Sequence, residues 1–379
     1  MTVACVNRRV LAATGLALVS ALAGLAGCSA DKPKPAPLQP IESPIAGRQV
    51  WSTRLGGVTF PLSVVVRGGR FHLASDDGTV LALDAATGQE AWRGNVGGRI
   101  SAGVGTDGRY AAVVTRDNEL VVLDAGTVTW RLKLESPVVT APLVAGERVF
   151  IVGVDRIVHA FDVLDGRRLW TLKRPGDALT LSQAGVLAAY KDTLLVGQGA
   201  RLLGVDPLKG TVRWDTALTT PRGTNEVERL ADLVGPPSRT GSVFCMRAFQ
   251  NAVGCIDAER GTLKWVQNGG GVEAVGGNDE YVVSADGSDR ISARKRASGE
   301  LAWTSELLLN RALSAPVALG TTVVFGDFEG QLHFLSQDAG KALLRLPTDG
   351  SRVIAPPVLS DNTLLVVTRA GGVFAFKPE

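Results

Sequence analysis

The sequence predicts an all-β fold: an eight-bladed β-propeller of four-stranded antiparallel blades, its ring closed by pairing of the N- and C-terminal strands. Three observations predict it. An apolar run followed by Asp, then Gly four positions on and Trp eight positions on, recurs through the 379 residues at a spacing of roughly 40, the period of blades or a solenoid. The first copy is half of this pattern, and the last strand is the missing half. The apolar runs inside the copies are nearly continuous, as expected of strands covered on both faces.

The unit is clearest from Leu81 to Trp92, where an apolar strand ends at Asp84 and Gly88 precedes Trp92. Gly88 supplies a positive φ without steric cost, and Asp84 can cap the turn through neighbouring backbone groups. The next copy, Asp124 to Trp130, has a turn two residues shorter; Asp162, Gly166 and Trp170, then Asp206, Gly210 and Trp214, then Asp257, Gly261 and Trp265 restore the full spacing. Gly299 and Trp303 have Lys295 in place of the Asp, and Gly340 with Leu344 lacks both Asp and Trp. Gly47 and Trp51 open the array without a preceding Asp strand, while Val373 to Phe376 close it before any turn. Joining these halves completes an eighth unit, seven being the alternative count, and removes the exposed strand edges of an open stack. The tryptophans are expected on the outer strands, filling the wedge between blades, where truncation to Ala costs roughly 3–5 kcal/mol.

Length alone would allow two or three domains, but the repeat argues for one propeller domain over residues 45–379. The 45 Gly and 18 Pro punctuate many short strands. A formal charge of +3 with no concentrated basic stripe argues against nucleic acid as a partner.

The amino terminus carries an address. Arg8 and Arg9 precede an apolar run over 10–25 that is short for a spanning helix, so residues 1–27 read as a signal peptide. Leu25, Ala26, Gly27 and Cys28 resemble the lipobox of bacterial lipoproteins, which makes Cys28 the lipid attachment site. Ser29, rather than Asp, is the pattern associated with the outer membrane. The expected location is the periplasmic face of the outer membrane, with membrane contact through the lipid alone, at ~0.8 kcal/mol per buried methylene. Residues 28–44 read as the lipidated Cys and a Pro-rich tether, too poor in large apolar side chains to build a core.

Two irregular segments interrupt the period. Between Trp214 and Trp265 the excess lies in residues 219–237, a charged insertion containing Asn225, Glu226, Glu228, Arg229 and Asp232. The other runs from Asp177 to Gln183, with Leu179 and Leu181 alternating with polar residues. Insertions on one rim of such arrays are where function is usually carried.

No nucleophile elbow, phosphate loop or paired-carboxylate motif stands out, and no catalytic, cofactor or metal residue is assigned. His72, His159 and His333 fall in separate repeats and read as strand histidines, since zinc needs converging ligands. The groups Gly269 to Gly271 and Gly276 to Gly277 read as turns. Cys245 and Cys255 become opposed if the chain folds back about Gln250, which permits a disulfide in an oxidising compartment. Equally, Cys255 takes the place of Ala82, Ala160 and Ala375 in other copies, a slot where a free thiol serves as a small hydrophobe.

The lipobox, the Pro-rich spacer and the Asp, Gly, Trp units together resemble the BamB family of outer membrane assembly factors, lipoproteins of the β-barrel assembly machinery. The segment Glu226 to Asp232 looks like the family's acidic rim loop, with Asp232 at its Asp position; Val234 stands where a second Asp is usual. Leu179 and Leu181 look like the family's paired leucines, but Ser182 follows where Arg is expected. The resemblance implies a non-enzymatic scaffold whose rim, through Leu179, Leu181, Arg229 and Asp232, binds a periplasmic POTRA domain of the barrel subunit BamA. Other subunits of that complex and unfolded outer membrane protein clients are the further partners it implies. The same repeat is shared by the quinoprotein dehydrogenases, which hold pyrroloquinoline quinone and calcium at the propeller centre. Those enzymes typically add longer insertions and often a vicinal cysteine pair, which this chain lacks. A propeller scaffold of another envelope complex is the third reading.

Overall fold

The segment Asp84 to Trp92 turns where its side chains dictate. In the computed structural model, which describes residues 33–42, 44–174 and 179–379, the strand Thr79–Asp84 ends as Asp84 Oδ1 accepts from the N–H groups of Ala86 and Thr87 at 3.1 and 2.9 Å. The Thr87 hydroxyl and N–H on that oxygen hold the Asp84 carboxyl below the usual carboxylate range. Gly88 then takes φ +73°, and Glu90–Asn95 returns antiparallel with Ala82 opposite Trp92. Asp162, Asp206 and Asp257 cap their turns in the same way.

Repeating this hairpin gives eight four-stranded sheets among the described residues, all antiparallel, each a blade running from inner to outer strand. Blade 1 is Val65–Arg67, Arg70–Ala74, Thr79–Asp84 and Glu90–Asn95. Blades 2 to 7 begin at Ile100, Leu143, Leu187, Leu233, Gly276 and Val317. Blade 8 takes Val358–Ser360, Thr363–Val367 and Gly372–Pro378 from the carboxyl end and Gly47–Arg54 from the amino end, with Trp51 opposite Ala375. The ring is therefore closed by the two half-units, as the sequence predicts. In every blade the turn between second and third strands shares a rim with the link to the next blade; the remaining turns form the opposite rim. These are called the linker rim and the turn rim below.

The middle strands are sandwiched between neighbouring blades, and Tyr110–Thr115 is buried along its whole length. Each fully buried Val or Leu there contributes roughly 1.5–3 kcal/mol relative to exposure. At the outer wall the indoles close the junctions. A methyl group on Gly88 would stand 2.5 Å from the Trp51 ring of the preceding blade, and Gly166, Gly210, Gly261, Gly299 and Gly340 lie under Trp130, Trp170, Trp214, Trp265 and Trp303 in the same manner. Indole N–H groups of Trp51, Trp130, Trp170, Trp265 and Trp303 donate to Ala85, Val163, Pro207, Arg296 and Gln337 carbonyls at 2.7–3.2 Å. The glycine thus serves twice, for its φ and for the flat surface the indole needs.

Cys245 and Cys255 face each other in register, and their sulfurs are joined in a disulfide. His333 is buried, its Nε2 2.9 Å from Oδ2 of the fully buried Asp327, and Arg311 Nε donates to that oxygen at 2.8 Å. Arg311 also binds Ala36, donating from Nη1 to its carbonyl at 3.1 Å, while the Ala36 N–H donates to Leu309 O at 2.9 Å. Leu38 packs on the cluster of Leu308, Leu313 and Leu335, and Arg345 donates to Gln39 O at 3.1 Å. The later part of the Pro-rich stretch therefore lies along blade 7 as a strap. Pro35–Glu379 form one compact unit. Residues 1–27 and Cys28 lie outside the described residues, as do Asp177 and Ala178.

Candidate functional site

Two links on the linker rim carry the residues singled out from the sequence. The link from blade 3 to blade 4 holds Leu179 and Leu181, and that from blade 4 to blade 5 is the insertion. The insertion folds on its own polar groups. Glu228 Oε2 accepts from the Thr224 N–H at 2.7 Å, Asn225 Nδ2 donates to Glu228 Oε1 at 2.9 Å, and the Glu228 N–H returns to Asn225 Oδ1 at 2.9 Å. Such reciprocal capping orders a single turn, and the Thr224 donors hold the Glu228 carboxyl below its usual range.

Asp232 joins the two links. Its Oδ1 accepts from Arg156 Nη2 at 3.1 Å and its Oδ2 from the Leu181 N–H at 2.9 Å, while the same Arg156 nitrogen donates to Leu179 O at 2.7 Å. Gln198 in turn donates to the Arg156 carbonyl at 2.7 Å. The Arg156 and Asp232 side chains are only 15% and 17% exposed. Asp232 is thus turned inward, and its direct work is to set the pose of the leucine loop. Leu179 is 37% exposed and Leu181 half-buried. Val227, 71% exposed at the tip of the insertion, adds apolar surface that the sequence reading passed over. Arg229 is half-buried with Nη1 donating to Gly223 O at 3.4 Å, and Ser182 is exposed. Val234 is 1% exposed and packs with Ala274, Ala315 and Phe249, so the apolar residue at that departure suits a core position.

Sequence reasoning missed Arg156. It sits in the middle turn of blade 3 at φ +63°, 76 positions from Asp232, and nothing local in the sequence announces a pairing at that distance. It also missed Arg247. This 1%-exposed guanidinium donates to the carbonyls of Glu273, Gly269, Gly270 and Ala285, so the glycine turn is a set of acceptors. Burial lowers Arg247 to about 10, which leaves it protonated at neutral pH. Gln183 then donates to Val272 O at 2.6 Å and ties the link after blade 5 to the leucine loop. The rim over blades 3 to 5 is one hydrogen-bonded surface. The cavity beneath Leu181 is about 60 Å³, room for water-sized guests and far below the ~300 Å³ at which small-ligand pockets usually begin.

A cavity of about 150 Å³ at the inner ends of the blades is lined by Pro61, Leu62, Gly185, Pro236, Ala274 and Pro356, with Glu273 as the sole charged side chain of that lining. Pockets for small ligands usually run ~300–1,000 Å³. A tricarboxylate quinone would meet a carboxylate there and no lining cation, so these residues do not fit that cofactor. No group of three or more His, Cys, Asp or Glu able to hold a metal occurs among the described residues.

A family model described as outer membrane protein assembly factor BamB matches residues 43–98, 76–305 and 290–379. The chain belongs to the BamB family. Among its relatives, the outer membrane protein assembly factor BamB of Burkholderia pseudomallei is 35% identical over 374 residues, covering 97% of this chain and 98% of that one. The BamB of Bordetella pertussis is 32% identical over 368 residues and 95% of both chains. The crystal structure of BamB from Moraxella catarrhalis superposes with a TM-score of 0.79 at 23% identity, over 88% of this chain and all of that one. The quinohemoprotein alcohol dehydrogenase of Comamonas testosteroni gives 0.66 at 16% identity, over 87% of this chain and 76% of that one. At these identities both likenesses speak for the fold alone. Family membership rests on the sequence match across the BamB propeller.

Proposed function

We propose that this chain is a non-catalytic scaffold of the outer membrane β-barrel assembly machinery, held at the periplasmic face of the outer membrane by a lipid on Cys28. In this reading the linker rim of blades 3 to 5 receives a POTRA domain of BamA. The observation that carries it is the pose of Leu179: an apolar side chain left 37% exposed on a loop that Arg156 and Asp232 hold fast. A preorganised apolar anchor beside a charged turn is the arrangement of an interface centre with its polar rim. Covering the remaining exposed part of Leu179 contributes only about 1 kcal/mol, so the partner must also use Leu181, Val227 and the charges of the insertion, Arg229 among them.

The test is co-purification of the barrel subunit with Leu179→Asp/Leu181→Asp. A central anchor is worth about 2 kcal/mol or more, so affinity should fall about 30-fold or further while the melting temperature stays put. Unchanged capture by a folded variant removes these leucines from the interface.

A further inference from the structure

Among the described residues, six blade junctions are closed at the outer wall by an indole laid over a glycine, and the one between blades 1 and 2 sets the Trp92 ring beside Gly126; the junction between blades 7 and 8 has no indole. Its other parts are in place. Gly47 holds the glycine position of the eighth unit, and a methyl there would stand 3.3 Å from Leu344 Cδ2, where the other copies meet a tryptophan ring. By register, Ala375 opposite Trp51 corresponds to Ala82 opposite Trp92. Pro378 therefore occupies the place of Ala85, whose carbonyl receives the Trp51 indole N–H. Only the ring is missing. The space it leaves is a cavity of about 440 Å³ lined by Ile45, Leu319, Phe334, Leu344, Leu346 and Phe376. Apolar cavities of roughly 150 Å³ already bind benzene.

We propose that this cavity binds an aromatic side chain, indole foremost, carried by an extended peptide lying across the outer wall between blades 7 and 8. The cavity is the outer end of the interface between those blades, so an aromatic occupant completes a contact that the ring makes elsewhere with its own tryptophans. Phe334 and Phe376 offer ring edges and faces to the guest. Gly47–Arg54 is the outermost strand of blade 8, so its unpaired backbone groups lie beside the cavity and can hold the peptide main chain by strand addition. This site is on the turn-rim side and does not rest on the rim reading above.

The probe is a fluorescein-labelled peptide of alternating Thr and Val with one central Trp, compared with the same peptide carrying Ala, by fluorescence polarisation against the full chain in lipid nanodiscs. The Trp peptide should bind about tenfold more tightly than the Ala peptide, and free indole should compete. Leu344→Trp, which fills the cavity from within, should abolish that preference and raise the melting temperature. Leu319→Glu, which lines the cavity with a charge, should abolish the preference without filling the space. Equal binding of the two peptides by the unaltered chain, or a Trp preference that survives in either folded variant, overturns the proposal.

Discussion

Removing the Asp232 carboxylate should loosen the leucine loop without unfolding the propeller. In Asp232→Ala the loop loses the acceptor of the Leu181 N–H at 2.9 Å, and Arg156 loses its counter-charge at 3.1 Å. Bonds to charged groups contribute about 1.5–3 kcal/mol each. The 3–5 kcal/mol seen when a buried pair is broken is too high here, since both side chains are about one-sixth exposed and Arg156 keeps the Leu179 carbonyl. The loop should therefore lose about 2 kcal/mol of local order, which is roughly 30-fold faster amide exchange at Leu181. Asp232→Asn, which retains an acceptor without the charge, should fall between. Hydrogen exchange followed by mass spectrometry reads both. An unchanged Leu181 amide in Asp232→Ala, with the fold intact, would refute the idea that this carboxylate poses the loop.

Three further outcomes are expected. Cys245→Ala/Cys255→Ala opens a loop with a sequence separation of 10 and should lower the unfolding free energy by about 2–3 kcal/mol in urea titrations; thiol counting on the denatured, unreduced chain should find neither cysteine free. Leu38→Asp should lift the strap from blade 7, seen as new protease cleavage near Gln39 with little change in melting temperature. His72 is fully buried, Nδ1 lies 3.3 Å from Val65 O, and burial lowers its pKa below the ordinary 6.5. The unfolded chain then binds the extra proton, so this stabilising contribution is whole above pH 6.5 and is lost as pH falls below it. Stability in His72→Phe should decline less steeply over that acid range, and an unchanged slope would remove His72 as a contributor.

The ring was legible because its grammar is local. Asp, Gly and Trp act within one hairpin, each through a turn, a φ or a stack, so spacing alone reveals blade after blade; even the half-units at Trp51 and Phe376 announce their pairing by what each lacks. The candidate site was legible only in outline. Leu179 and Leu181 stand out because they break the period, but whether Asp232 points at a partner or at its own chain depends on Arg156, which comes from another blade. The same holds for Arg247, which reads as an ordinary strand arginine until the carbonyls around it are brought together. The strap escaped notice for a different reason. Proline-rich composition predicts no core of its own, which is true, yet it leaves open that Leu38 borrows one from blade 7.

The pairing of Gly47–Arg54 with Gly372–Pro378 sets an order of events. A growing polypeptide emits the first of these segments early and the second last, so Trp51 must wait for more than three hundred residues before its sheet exists. Bringing the two together late confines a loop whose closure costs about 5 kcal/mol in chain entropy, and until then the ring is a gapped arc. The clasp therefore decides the circle: a chain cut short before its final segment keeps the strands of seven blades yet lacks the latch that joins the ends.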